Sequence, residues 1–426
     1  MKVLMFGWEF PPHITGGLGT ACFGMTKALA EKNTEVIFVV PKAHGDENTQ
    51  SVDLISADRV EIDFRNPIYA DYEHLISYVQ INSTLVPYCG VEDFYQILRH
   101  TEASVSKIGE TGYKRTYPFS GSYGKDLLEE VHRYAFVARS VANEKSFDVI
   151  HAHDWLTYEA GVEARKISGK PLVIHVHATE FDRSGENVNQ AVYDMERYGM
   201  EQADKIIAVS DYTKKIVIER YGQPENKVHT VYNGIDISQR KTDKPKANRR
   251  VKQVCFVGRI TFQKGPDYFI AAAEKIIRKD PSVHFVMAGS GDMLNKMISL
   301  VASKRISKNF HFAGFLNKEE VSRLFHMSDL FVMPSVSEPF GIVPLEALRD
   351  GVPVIISKQS GVSEVLHHAV KVDFWDTDAM ANAIYGVLNY KALSDFLMKD
   401  AETEISQISW SNAADKINKI YESLIQ

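Results

Sequence analysis

The sequence predicts an α/β protein with two doubly wound parallel sheets, each covered by helices on both faces. Three observations carry that prediction. Short β-rich runs alternate with amphipathic stretches of helix length, the pattern of parallel βαβ units. The β runs are rich in Val and Ile without clean alternation, as strands covered on both faces are. They also fall into two series, separated by a polar, basic stretch.

The first series opens with Lys2–Gly7, a Gly-rich turn and a predicted helix from about Gly19 to Lys32. It continues with Glu35–Val40, Phe147–His151, Leu172–His177, Lys205–Val209 and Val228–Val231. The second runs through Val254–Gly258, His284–Ala288, Phe310–Ala313, Leu330–Met333 and Val354–Ile356. Between them, Ser238–Lys252 holds seven Lys or Arg against Asp243, with Pro245 and almost nothing apolar, and reads as an exposed linker. The segment His44–Lys125 breaks the rhythm and holds eight of the nineteen tyrosines, so it reads as an insertion on the first domain. Its tyrosines suit packing of a small subdomain or stacking on sugar rings. Two such Rossmann-like domains leave a cleft, where ligands of open α/β sheets bind.

Composition narrows the class without naming a chemistry. The 426 residues suit two to four domains. Lys and Arg number 49 against 55 Asp and Glu, a net charge of −6, which argues against nucleic acid as a partner. Three distant cysteines, Cys22, Cys89 and Cys255, suit a reducing compartment and core packing. With neither a secretory signal nor a run of about 20 apolar residues, the expectation is a cytoplasmic protein without stable membrane association.

Three constellations could carry chemistry. Gly16 and Gly17 lie in Thr15-Gly-Gly-Leu-Gly19, between the first strand and first helix, where glycines let a phosphate or sugar approach the backbone. The spacing is not that of a dinucleotide fingerprint. Next, Gly258-Arg259 and Lys264-Gly265 follow the first strand of the second series. A guanidinium fork and an ammonium point charge can converge there on one diphosphate, or both can be solvated loop cations. Third is Ser337-Glu338-Pro-Phe340-Gly341-Ile342-Val-Pro344-Leu-Glu346. Pro344 belongs in a helix's first turn, which starts that helix near Gly341 and sets Glu338 at the cleft with Glu346 a turn deeper.

Arg-x4-Lys followed by Glu-x7-Glu, in the second of two Rossmann-like domains, resembles the retaining nucleotide-sugar glycosyltransferases of GT-B fold. Trp8-Glu-Phe-Pro-Pro12, His151-Ala-His153-Asp154-Trp155, His177-Ala-Thr-Glu180 and Glu338-Pro-Phe-Gly341 look like glycogen/starch synthases, especially the compact archaeal type. Asn233-Gly-Ile-Asp236 and a helix at Trp410-Ser-Asn412 that would cross back also fit. The implied division is an acceptor-side domain over 1–240, with its insertion at about 44–125, completed by a C-terminal crossover helix over 408–426. The donor-binding domain is 250–407.

The resemblance implies roles residue by residue. Arg259 and Lys264 would neutralise the leaving diphosphate, and Glu338 would hold sugar hydroxyls. His177 would hydrogen-bond the transferred sugar. Gly16, Gly17, Gly258, Phe340, Gly341 and Ile342 would line the donor, and Glu346 would bind its ribose. His153, Asp154 and Asn233 fall on the acceptor side. Donor and acceptor would be ADP- or UDP-glucose and an α-1,4-glucan or maltooligosaccharide. Ile14 replaces the Lys of bacterial ADP-glucose synthases and leaves the nucleobase open. The alternative is a hexosyltransferase acting on a lipid, a sugar phosphate or a cell-envelope glycan.

No cofactor or metal is expected. Asp376-Thr-Asp378 matches a metal-binding Asp-x-Asp but precedes an amphipathic run and reads as a helix cap. His151-x-His153 and His175-x-His177 each point to one face of a strand, as zinc hydrolases require, yet no carboxylate or Cys completes an obvious ligand set in the sequence.

Overall fold

The computed structural model describes residues 1–13, 16–63, 65–72, 114–121, 123–124, 127–237 and 251–425. Most of the basic linker, Cys89, Ile14, and Tyr78, Tyr88, Tyr95 and Tyr113 of the Tyr-rich segment lie outside them.

The strands of the first half are β1 (Lys2–Phe6), β2 (Glu35–Val40), β3 (Asp53–Ser56), β4 (Ile62–Asp63), β5 (Lys114–Arg115), β6 (Val149–His153), β7 (Leu172–Val176), β8 (Lys205–Ala208) and β9 (Val228–Thr230). Seven form a parallel sheet in the order β3-β2-β1-β6-β7-β8-β9, while β4 and β5 pair antiparallel. The second half adds β10 (Gln253–Val257), β11 (His284–Ala288), β12 (Phe310–Gly314), β13 (Leu330–Met333), β14 (Val354–Ser357) and β15 (Val370–Val372). They form a parallel sheet ordered β12-β11-β10-β13-β14-β15. The fold is thus α/β with two Rossmann-like sheets. In each, the strand order reverses beside the first strand of its half, β1/β6 and β10/β13, and ligands of doubly wound sheets bind at such reversals.

Two departures from the sequence reading concern the sheet edges. The insertion cannot begin at 44, because Asp53–Ser56 is the edge strand beside β2. Its register pairs Phe38 with Leu54 and Val39 with Ile55. Only two apolar residues mark this strand, so its own pattern is too short to announce it. Val370–Val372 was likewise unmarked and closes the other sheet. Within the Tyr-rich segment, Tyr69 and Tyr117 are buried in the first core, and the Tyr69 hydroxyl donates to the Phe136 carbonyl at 3.1 Å. Packing, for these two, is what the tyrosines do.

The terminal helix Trp410–Ile425 crosses back from the second sheet. The chain turns where Ile235 N–H donates to the Ile408 carbonyl at 2.9 Å and Ile235 bridges Ser409. Ala413, Ala414, Ile417 and Tyr421 then pack with Val3, Met5, Cys22, Met25 and Phe38 beneath the first sheet. A Cβ on Gly24 would stand 2.4 Å from the Trp410 ring, so that glycine is where the two helices close. Among the described residues no helix is long and apolar enough to cross a membrane.

Candidate active site

At the reversal of the second sheet, the loop after β10 carries Gly258, Arg259, Lys264 and Gly265, and the loop after β13 carries Ser335 to Gly341. Gly265 has φ +61°, and a Cβ there would lie 2.2 Å from the Pro334 carbonyl oxygen, so the two loops touch backbone to backbone. That contact brings Lys264 Nζ into an ion pair with Glu338, whose carboxylate also accepts from Ser335 Oγ at 3.1 Å. Arg259 is exposed and reaches only Gln263 Oε1, at 3.5 Å. Its fork is therefore spare.

Gly341, at φ +101°, turns the chain into the short helix Val343–Arg349, with Pro344 in its first turn as anticipated. The Gly341 and Ile342 amides make no backbone hydrogen bond among the described residues. Glu346 sits on that helix with no ion pair among the described residues, and burial raises its pKa. Phe340 corrects the sequence reading. Its side chain is buried in the apolar core with Met333, Leu345 and Ile356, so it cannot line a donor.

The first sheet presents a different chemistry at its reversal. Gly16 caps, and Gly17 starts, the helix Gly17–Glu31, which has no side-chain cap. Gly16 has φ −166°, and a Cβ on either glycine would meet nothing within 4 Å. Neither conformation nor packing demands glycine here. The pair leaves open space at the start of this helix.

Next to them, β6 and β7 end in four stacked imidazoles. His151 lies 4.2 Å from His153 and His175 4.2 Å from His177, centroid to centroid. His153 Nδ1 and His177 Nε2 share a hydrogen bond of 3.0 Å, and His151 Nε2 and His175 Nδ1 one of 3.2 Å. His151 Nδ1 meets the Tyr421 hydroxyl from the crossover helix. Burial pushes His151 and His177 down to about 3 and holds His153 and His175 well below the ordinary value, so all four are neutral at pH 7. His177 alone among them is partly exposed.

Asp154 and Asn233 do not face an acceptor. Asp154 Oδ1 accepts from the His177 and Ala178 amides at 2.7 and 3.2 Å, from a backbone at φ +59°. It therefore fixes the loop that carries His177, and burial pushes its pKa up to about 6. Asn233 belongs to the crossover, where a Cβ on neighbouring Gly234 would lie 2.2 Å from Trp410 N. Among the described residues no contact joins Asn233 to the histidines. Asp376 caps its helix, accepting from Ala379 N–H at 2.8 Å, as the sequence suggested.

Contacts between the sheets were invisible in the sequence. Ser337 Oγ hydrogen-bonds Asp182 and, at 2.9 Å, the Tyr212 hydroxyl. Glu364 accepts from the Asp211 and Tyr212 amides at 2.9 and 2.7 Å. Half-buried Arg183, next to Asp182, pairs with Glu180 and Glu196. The segment 335–341 that carries Glu338 is thus also the strip by which one half holds the other.

Two Rossmann-like sheets, with Arg259 and the Lys264–Glu338 pair at one reversal and bare glycines at a helix start beside the other, form the two-domain architecture in which phosphorylated ligands bind at strand reversals and helix starts. The family model "Glycosyl transferases group 1" matches residues 238–402, and "Glycosyltransferase Family 4" matches 103–239. An uncharacterized glycosyltransferase of Methanocaldococcus jannaschii is 28% identical over 440 aligned residues, covering 99% of this chain and 98% of that one. A glycogen synthase of Mycobacterium tuberculosis is 26% identical, covering 99% and 94%. A D-inositol 3-phosphate glycosyltransferase of Rhodococcus opacus is 27% identical, covering 71% and 74%. Among solved structures, a sucrose-phosphate synthase from Thermosynechococcus elongatus has the same fold, with TM-score 0.72 at 17% identity over 99% of this chain and 98% of that one. The two models together span residues 103–402, so the chain is similar in its two halves to glycosyltransferases of family 4 and of group 1, on a GT-B fold.

Proposed function

We propose that this protein is a retaining hexosyltransferase that moves glucose from ADP- or UDP-glucose to the end of an α-1,4-glucan in the cytoplasm. The reading is supported by Arg259, Lys264 and Glu338 gathered at the reversal of one sheet and by Gly16, Gly17 and His177 at the reversal of the other, with Ser337 and Asp182 hydrogen-bonded between the halves. Arg259 and Lys264 take the diphosphate, the amides of Gly341 and Ile342 assist, and Gly17 admits it from the opposite side. Glu346 holds the ribose. Glu338 accepts from sugar hydroxyls once the donor has drawn Lys264 away from it. Neutral His177 hydrogen-bonds the sugar beside the reacting carbon.

The C1–O bond to the diphosphate breaks and its electron pair leaves with the phosphate. The acceptor hydroxyl attacks from the same face, and its proton passes to the departing phosphate oxygen. Charge appears on that phosphate as the bond breaks, so fixed cations already aimed there stabilise the transition state more than the ground state. No metal is needed for this step, because Arg259 and Lys264 supply the positive charge.

A second reading keeps the donor site and changes the acceptor to a sugar phosphate or envelope glycan. It is favoured by the D-inositol 3-phosphate glycosyltransferase relative, which is 27% identical against 26% for the glycogen synthase, though over 71% of this chain rather than 99%. The deciding experiment incubates the purified protein with UDP- and ADP-glucose, with and without maltooligosaccharide, in the presence of a chelator. Chain extension with α-linkage supports the first reading. No extension of maltooligosaccharide, but transfer when an inositol phosphate is supplied in its place, supports the second.

A further inference from the structure

The transfer reaction uses one histidine of four, and the others are arranged as if for something else. His153 Nε2 and His175 Nε2 are buried without a hydrogen-bond partner among the described residues, so the hydrogen bonds within the cluster do not use every ring nitrogen. The sequence lacked a third donor type. The structure supplies one: Cys22, buried on the helix that Gly17 begins, stands with His153 and His177 so that one ligand atom of each lies within 4.8 Å of the others.

The geometry suits a small cation. His153 Nδ1 and His177 Nε2 are 3.0 Å apart. Two nitrogens at zinc-ligand distance in a tetrahedral site are about 3.3 Å apart, so the pair needs little adjustment. A thiolate and two imidazoles select soft or borderline ions, zinc before magnesium or calcium. Burial first, and then the carboxylates of Asp154 and Glu9, raise the Cys22 thiol well above its ordinary value, so its surroundings are both apolar and negative. That field opposes a bare thiolate and favours a dication beside it. The inner set, His151, His153 and His175, is fully buried, and His151 already engages Tyr421 and His175. Only the outer set reaches the cleft, through His177.

We propose that Cys22, His153 and His177 form a site for a soft divalent cation such as Zn²⁺, whose binding withdraws His177 from the sugar and halts transfer. The Cys22 S–H bond breaks, an S–Zn bond forms and the proton leaves to solvent. The proton shared by the two imidazoles moves to a ring nitrogen that does not bind the ion, so both rings stay neutral. Water completes the tetrahedron, as in open three-ligand sites. Nothing is oxidised or reduced. Binding stands on the geometry alone; inhibition rests on the glycosyl-transfer reading.

Co²⁺, a spectroscopic stand-in for zinc, separates the two. Titrating the full-length protein with Co²⁺ should raise a saturable thiolate-to-cobalt charge-transfer absorption at one ion per chain, with competition by Zn²⁺. Cys22→Ala should remove that band, and Cys22→Ser, a second variant in case the first folds poorly, should do the same. His153→Gln should weaken binding at least tenfold. Zn²⁺ should inhibit transfer reversibly, with recovery on chelation, and Cys22→Ala should need at least tenfold more Zn²⁺ while keeping its basal turnover. No band, or a band that survives both Cys22 substitutions, overturns the site. Saturating Zn²⁺ binding with unchanged turnover overturns the inhibitory role. A protein inactive with every nucleotide sugar defeats the transferase reading instead, and leaves the cobalt result to decide the site.

Discussion

The ends of the two sheets share a topology and differ in chemistry. At the second, charge is carried by long side chains that can move: Arg259 is exposed, and Lys264 is held only by Glu338. At the first, four neutral imidazoles are joined by buried hydrogen bonds, and two exposed glycines start the helix of the same half. The same strand order therefore builds one half with charged side chains and another with buried, neutral imidazoles. The difference matches what the proposed reaction asks of each. A diphosphate repays exposed cations, whereas a neutral sugar needs placed hydrogen bonds without competing charge.

Removing charge from the electrostatic half should have the largest effect. Lys264→Ala should lower kcat by on the order of 10²–10³, about 3–4 kcal/mol, with an unchanged melting temperature. Near-normal turnover in a folded variant would end its assignment to the diphosphate and remove the asymmetry.

Acid should attack the opposite half. The four histidines keep folded pKa values below the ordinary 6.5, with His151 and His177 at about 3. Between those limits the unfolded chain binds protons that the folded chain refuses. Stability should therefore fall as pH drops from about 6.5 toward 3, by at most about 1.4 kcal/mol per pH unit for each histidine. Urea midpoints at pH 7 and 5 test this, and a His151→Asn variant should lose part of the slope. A flat profile would mean the imidazoles are not desolvated.

Gly17→Ala sharpens the contrast between shape and charge. A Cβ there meets no protein atom, so stability should hold or rise by up to about 1 kcal/mol. Donor affinity should fall about tenfold, since the added methyl occupies the approach of the diphosphate. Isothermal titration with UDP beside a thermal melt reads both. Unchanged affinity would restore the plain-turn explanation.

The smallest effect belongs to a residue outside either half. Asp376→Ala should cost about 1 kcal/mol through loss of its cap and leave turnover in chelator unaltered. Lost turnover would instead point to a metal at Asp376-Thr-Asp378.

What could be read along the chain was whatever local periodicity and turn chemistry encode. Glu35–Val40, His284–Ala288 and Leu330–Met333 are strands at the anticipated bounds, because continuous Val, Ile and Phe runs commit a short segment to a buried sheet. Pro344 started its helix because a ring without an amide proton fits only the first turn. The spacing of Arg259, Lys264, Glu338 and Glu346 likewise survives folding, since the first pair shares one loop and the second spans a single loop-to-helix junction. Edge strand Asp53–Ser56 escaped because an edge needs few apolar residues. Phe340 showed a motif position without showing which way its ring turns. Cys22, His153 and His177 come from a helix and two strand ends, and Ser337 meets Asp182 across the halves. Such distances depend on sheet register, twist and the angle at which helices pack. No stretch of sequence contains those quantities, and they decide what the first sheet's histidines can hold.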